Sequence, residues 1–214
     1  MPAALIAAAQ ALDAAGFMPQ KSGNLSLRRD DGFLITPSGL PYAGMRAEDL
    51  VDCGADGAPL AESGPRPSSE WRLHAAVYRA RPDAMAVVHT HSPMATALSC
   101  ARHGIPPLHY MILLAGGDGQ AGIPCAAHAT FGTQALAEAA VAALGGGRRA
   151  VLLANHGVLA LGETLAGAVA LAQEAENLAA QYLALRSAGL PPVLLSGAEL
   201  AAAAVQFRDY GRKA

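Results

Sequence analysis

Two apolar runs, Ala150 to Ala154 and Val158 to Leu161, are separated only by Asn155-His156-Gly157. So short a gap predicts an antiparallel hairpin, because two parallel neighbours need a crossover of about a dozen residues or more. A similar pair stands near the start. Ser22 to Arg28 alternates polar and apolar residues after Gly23-Asn24, and Gly32 to Thr36 follows closely as its partner strand.

Helical stretches are interspersed with these pairs. Pro2 to Ala15 is Ala-rich and amphipathic and ends at Gly16, a C-cap residue. Ser68-Ser69-Glu70 reads as the N-cap region of a helix from Trp71 to Arg81, stopped by Pro82. The β-rich segment Ala84 to His91 runs into Ser92-Pro93, where another helix starts. Thr133 to Leu144, Glu163 to Ala188 and Gly197 to Tyr210 complete the helices, and Gly54 to Pro67 reads as a polar loop. Leu108 to Leu114 reads as a further strand before the glycine-rich loop Gly116 to Gly122. The class expected is α/β, with a mixed or mostly antiparallel sheet and a single domain over residues 1–214.

Charge narrows the partners. With 15 Lys and Arg against 17 Asp and Glu the net charge is −2, and the pI is near 6.4. No broad positive field exists for nucleic acid or an anionic membrane, so an anionic ligand must be small and held locally. The three cysteines, Cys53, Cys100 and Cys125, form no C-x-x-C pair, which suits a reducing compartment. The start of the chain lacks a basic region before its apolar residues, and polar residues interrupt the apolar stretch from Ala166 to Leu185. A cytoplasmic protein with no membrane span is expected. The mean hydropathy is +0.26 with only 5% aromatics, so the surface is rich in alanine, and an oligomer would hide part of it.

Val87-Val88-His89-Thr90-His91 carries the sharpest chemical signal. Side chains two apart on a strand share a face, so His89 and His91 can grip one metal ion or simply pack side by side. A third imidazole is needed to decide, and His156, at the end of a strand, is the best placed. His74 lies inside a helix, His103 beside Gly104 in a loop, and His109 and His128 lack partner spacing. Three imidazoles leave a coordination position open to substrate, as catalytic zinc does. Ser68-Ser69-Glu70 offers hydroxyls and free N–H groups for a small anion, with Glu70 the carboxylate beside it; helix capping explains the same residues. Gly23-Asn24 and Thr36-Pro37-Ser38-Gly39 are turn chemistry singly and a phosphate cradle together. Gly117 to Gly122 matches G-x-G-x-x-G, but Ile123-Pro124 follows where a helix should open, so no dinucleotide site is expected.

These stretches, with Ile35-Thr36-Pro37-Ser38-Gly39, Pro67 to Arg72, His109-Tyr110-Met111-Ile112, Ile123-Pro124-Cys125, Ala129 to Thr133, Asn155-His156-Gly157 and Phe207 to Gly211, stand in the order of the class II aldolase/adducin family, and the chain resembles that family, above all its fuculose-phosphate branch, over nearly its whole length. The resemblance implies helices on both faces of the sheet. It implies zinc, with Mn²⁺ or Co²⁺ as other divalent ions, on His89, His91, His156 and Glu70, where Glu70 leaves the metal to act as acid and base. It implies a phosphate pocket around Gly23, Asn24, Thr36, Ser38, Gly39, Ser68 and Ser69. A homotetramer with sites at subunit interfaces follows, in which Tyr110 reaches a neighbour's site as proton donor and Tyr210 closes over it.

The activity so implied is reversible retro-aldol cleavage of a 1-phosphoketose to dihydroxyacetone phosphate and an aldehyde. Candidate ketoses are L-fuculose, 5-deoxyribulose or methylthioribulose 1-phosphate, and the apolar run Met111 to Leu114 favours an apolar aldehyde end. The loop Gly116 to Gly122 is longer than in the fuculose branch. Rival readings are a pentulose-phosphate 4-epimerase, a sugar-phosphate dehydratase or decarboxylase, and an adducin-like interaction domain. The epimerase would need a C-terminal histidine, and none follows His156. An adducin-like domain would have lost the metal set that is present here.

Overall fold

The computed structural model describes residues 1–209. Helix α1 (Pro2–Ala14) leads into the hairpin β1 (Asn24–Arg29) and β2 (Gly32–Ile35), followed by β3 (Val51–Gly54). Then come α2 (Trp71–Ala80), β4 (Ala86–Thr90), α3 (Pro93–Cys100), β5 (Cys125–Ala126), α4 (Gln134–Leu144), β6 (Ala150–Leu153), β7 (Gly157–Gly162), α5 (Leu165–Ser187) and α6 (Gly197–Asp209). The seven strands form one sheet in the order β3-β2-β1-β4-β7-β6-β5. Every neighbour is antiparallel except the short β5–β6 pair. Both hairpins expected from the sequence are present.

One element departs from expectation. Leu108 to Leu114 is not a strand: Tyr110–Ala115 winds as a 3₁₀ helix. The His109 ring accepts from the Met111 N–H, and the Ile112 N–H donates to the His109 carbonyl, so local bonds close the turn before a ladder can form. Two strands also went unseen. β3 is a four-residue edge strand broken by Asp52, which pairs with Arg29 at 3.0 Å, and β5 is two residues long.

Alternate residues of the central strands feed opposite cores. Val88, Ala160 and Leu152 join Leu5, Leu12, Leu171 and Leu178 beneath α1, α3 and α5. Val87, Leu159 and Val151 join Phe33, Leu73 and Leu136 beneath α2 and α4. Alanine has a place in this packing: Ala168, Ala172, Ala175 and Ala179 line the buried side of α5 and let it lie close on the sheet. Cys53, Cys100 and Cys125 are all free, and burial pushes the Cys53 thiol up to about 11. No helix among the described residues is long and apolar enough to cross a membrane.

Candidate active site

The face occupied by α2 is also the face that receives the histidines. Along β4, His89 follows Val87 at a spacing of two, so it points toward α2, and His91 continues the series just past the strand end. The β6–β7 turn brings His156 to the same edge. Asn155 turns it with a left-handed φ of 57°, and Ser99 holds it by accepting from the Asn155 and His156 N–H groups. Gly157 is required here, since a Cβ would lie 2.3 Å from the Thr90 carbonyl oxygen. The three imidazoles stand with ring centroids 4.8 Å apart, pair by pair, and interplanar angles of 66°, 78° and 87°.

Glu70 completes the group from the N-cap position of α2. Its Oε2 lies 3.0 Å from His89 Nε2 and accepts a 3.0 Å hydrogen bond from the Asn24 amide. Its Oε1 lies 3.3 Å from His156 Nε2, yet it is buried with no hydrogen-bond partner. One ligand atom from each of Glu70, His89, His91 and His156 falls within 4.8 Å of the others. His89 Nδ1 lies 3.0 Å from the Val158 carbonyl, to which it donates, so Nε2 is the nitrogen turned to the group, facing Glu70 here and able to offer a lone pair to an ion. The neighbouring His91 Nε2 faces that nitrogen at 3.0 Å. Converging nitrogen lone pairs and an unpaired carboxylate oxygen are donors shaped for a metal ion, and the residues fit one.

Electrostatics prepares the ligands. Burial, and then repulsion from His89, hold His91 at about 3 and His156 at about 4, so both are neutral. Burial also opposes charge on His89, but the Glu70 carboxylate outweighs it and the net shift is upward. Burial alone would raise Glu70; the His89, His156 and Asn24 contacts override it and hold the carboxyl well below the usual carboxylate range.

A cavity of about 500 Å³ opens over Glu70, His91 and His156. Of the residues expected to bind phosphate, Gly23, Asn24, Ser38, Gly39, Ser68 and Ser69 line it. Thr36 does not: its side chain is buried and its hydroxyl accepts from the Leu25 N–H. Its carbonyl accepts from the Ser68 N–H, which ties the Ser38 loop to the start of α2. Ser68 is also buried, and its hydroxyl accepts from the Glu70 N–H. Gly23 presses on β4, where a Cβ would meet the His89 carbonyl at 2.7 Å. Tyr110 is brought elsewhere. It is 49% exposed, stacks on His109, and lines a separate hollow with Met111, Ala203 and Phe207. Tyr210 lies outside the described residues.

Sequence reasoning missed Lys21 and the loop His128 to Phe131, all of which line the cavity. Lys21 follows Gln20 in the left-handed region, at φ 64° and 56°, an uncommon state for two consecutive residues with side chains. Its signal was faint: a lone cation two residues before Gly23. His128 had none, because its loop is brought to the site by tertiary contacts, with Gly132 packed against the Ser69 carbonyl.

The Class II Aldolase and Adducin N-terminal domain model matches residues 3–183. The chain belongs to this family. Within it, a 5-methylthioribulose-1-phosphate/5-deoxyribulose-1-phosphate aldolase of Rhodospirillum rubrum is 44% identical over 211 residues, which span 98% of this chain and 92% of the relative. An L-fuculose phosphate aldolase of Escherichia coli is 45% identical over 190 residues, 89% of this chain and 86% of that one. A solved L-fuculose 1-phosphate aldolase superposes with a TM-score of 0.89 at 35% identity, covering 97% of this chain and 95% of the other. The fold is that of the class II aldolases, and the relatives of this family member mark it as an aldolase, a lyase of sugar-phosphate metabolism.

Proposed function

We propose that the protein is a zinc-dependent aldolase that reversibly cleaves a 1-phosphoketose to dihydroxyacetone phosphate and an aldehyde. The observation that carries this reading is the convergence of three imidazoles and the Glu70 carboxylate at the floor of a cavity walled by hydroxyls and glycine backbone. Nitrogen and oxygen donors of this kind suit Zn²⁺, with Mn²⁺ or Co²⁺ as substitutes. Bound by His89, His91 and His156, the ion would supply a Lewis acid that polarises the ketose carbonyl and offsets the charge left when the C3–C4 bond breaks.

The chain's own groups do the rest. Ser69, Ser38 and the backbone of Gly23 and Gly39 take the phosphate, Lys21 adds the one nearby cation among the described lining residues, and Asn24, Thr36 and Ser68 hold these parts in place. Glu70 Oε1, the oxygen without a partner, carries the proton to C3 in cleavage and takes it away in synthesis. Tyr110 handles the proton on the aldehyde oxygen in a neighbouring subunit, a role supported by its exposure outside its own chain's cavity. The working form is a homotetramer of one-domain chains in the cytoplasm, with Tyr210 closing over the site.

For the aldehyde end, the match to the Rhodospirillum enzyme over 98% of this chain supports 5-deoxyribulose or methylthioribulose 1-phosphate, with L-fuculose 1-phosphate next. The test is a panel of these three ketoses assayed for triose phosphate release, with metal analysis. About one zinc per chain and release of dihydroxyacetone phosphate are expected, and Glu70→Gln should lower turnover by a hundredfold or more, within the range of about 10² to 10⁴ that a general base contributes. Epimerisation without triose release would overturn the aldolase reading.

A further inference from the structure

Asn24 lines the cavity, and its side-chain amide is held between Glu70 and His74. Behind the site, α2 and β1 present two matched polar stripes to each other across an otherwise apolar core. Glu70, His74 and Tyr78 fall at i, i+4 and i+8 along the start and body of α2, on one face. Asn24 and Ser26 fall two apart on β1, on the face toward α2. Four helical residues rise about 6 Å and two strand residues about 6.7 Å, so the stripes interdigitate in register.

The contacts zigzag between them. Tyr78 Oη lies 2.7 Å from Ser26 Oγ, which lies 2.6 Å from His74 Nδ1. His74 Nε2 lies 2.5 Å from Asn24 Oδ1, and Asn24 Nδ2 donates to Glu70 Oε2 at 3.0 Å. All five residues are at most 6% exposed. The direction of every bond follows from the last. A carboxylate only accepts, so the Asn24 amide nitrogen must face Glu70 and its oxygen must face His74. His74 therefore carries its proton on Nε2 and accepts at Nδ1 from the Ser26 hydroxyl, which accepts in turn from Tyr78. Five buried polar groups in an apolar core are a poor way to gain stability, since well-packed apolar residues of similar volume would serve as well or better.

We propose that the Tyr78–Ser26–His74–Asn24 chain is a positioning device that fixes the rotation of the Glu70 carboxylate, anchoring Oε2 and leaving Oε1 free to carry the proton. In this device Asn24 and His74 are positioning residues for that carboxylate. The proposal rests on Glu70 being the proton carrier. Loosening the carboxylate misplaces one oxygen by a fraction of an ångström to an ångström, which reduces the chemical step more than substrate binding.

The test has three arms. His74→Phe keeps ring volume and breaks the chain; in the metal-loaded enzyme kcat should fall on the order of tenfold, with KM within about twofold and metal content unchanged. His74→Gln, which keeps one donor and one acceptor, should recover most of the loss. Nitrogen NMR of the metal-free protein at neutral pH should show His74 with its proton on Nε2. A folded His74→Phe protein with wild-type kcat, a loss that His74→Gln does not recover, or a proton on Nδ1 would each overturn the proposal. If His74→Phe does not fold, Tyr78→Phe removes only the terminal hydroxyl and should lower kcat in the same direction by a smaller factor, and unchanged kcat there counts against the device. Glu70→Gln separates the two readings: retained turnover would remove Glu70 as base, and the proposed consequence with it, whereas the NMR reports the bond order independently.

Discussion

Alternate residues of the same strands face opposite sides of the sheet, and the two sides differ in kind. Beneath α1, α3 and α5, Leu5, Leu25, Val88, Leu171 and Leu178 pack together, and the buried polar groups of α3 and the end of β4 are the hydroxyls of Thr90, Ser92 and Ser99. Beneath α2 the same strands place Asn24, Ser26 and His89 against Glu70, His74 and Tyr78. Moving one residue along β1 or β4 crosses from one regime to the other. The apolar side packs the sheet against its helices, and the polar side gathers a carboxylate and three imidazoles at one edge. Substitutions on the two sides should therefore separate chemistry from stability.

The largest effect is expected from His91→Ala. His91 is partly buried and its ring hydrogen-bonds only within the metal group, so metal binding and turnover should drop by more than about a hundredfold while the metal-free protein loses no more than about 1 kcal/mol. Denaturant midpoints and metal analysis check it, and a large stability loss would erase the division between faces.

Acid should come next, and should act through the polar side alone. In the metal-free protein His74 and His91 are held at about 3 and His156 at about 4, in each case chiefly by burial, whereas the unfolded chain protonates them near 6.5. Below about pH 6.5 the unfolded state thus binds more protons, and stability falls as pH falls, with a slope of about two to three protons between pH 6 and 4.5. Glu70, shifted down, adds the same sign once the pH drops below about 4.5. His89, shifted up, has the opposite sign: its contribution is present below about 6.5 and is lost as pH rises through its folded value. Maximum stability near pH 6.5 to 7 is expected from urea midpoints taken across pH, and a flat profile from pH 6 to 4.5 would contradict the burial of these rings.

On the apolar side, Leu178→Ala should cost about 2–5 kcal/mol and leave kcat of the folded, metal-loaded enzyme unchanged. Smallest is Thr164→Ala, which removes the hydroxyl that accepts from the Gly167 N–H at the start of α5; about 1 kcal/mol and no kinetic effect are expected.

Much of this division was legible in the chain. His89 and His91 announced a shared face because strand periodicity is local, and His156 announced a strand end because only three residues separate β6 from β7. The helix at Trp71 was marked by Ser68-Ser69-Glu70 for the same kind of reason. Tyr110 misled: the run Leu108 to Leu114 has strand composition, but His109 offers its ring and carbonyl to the next turn, and that competition is invisible to a hydrophobic pattern. Lys21 and His128 became site residues through a strained loop and a close loop-to-loop contact.

The sequence by itself determined the strand pairs, the helix starts, the two histidines on one face and the family to which the chain belongs, because each depends on spacing within a few residues. Tertiary structure alone decided that Glu70 meets His89, that Thr36 turns away from the cavity, and that Asn24 faces back toward His74. Those contacts join residues about 10 to 90 positions apart, and they exist only once strands, turns and a helix are packed against one another.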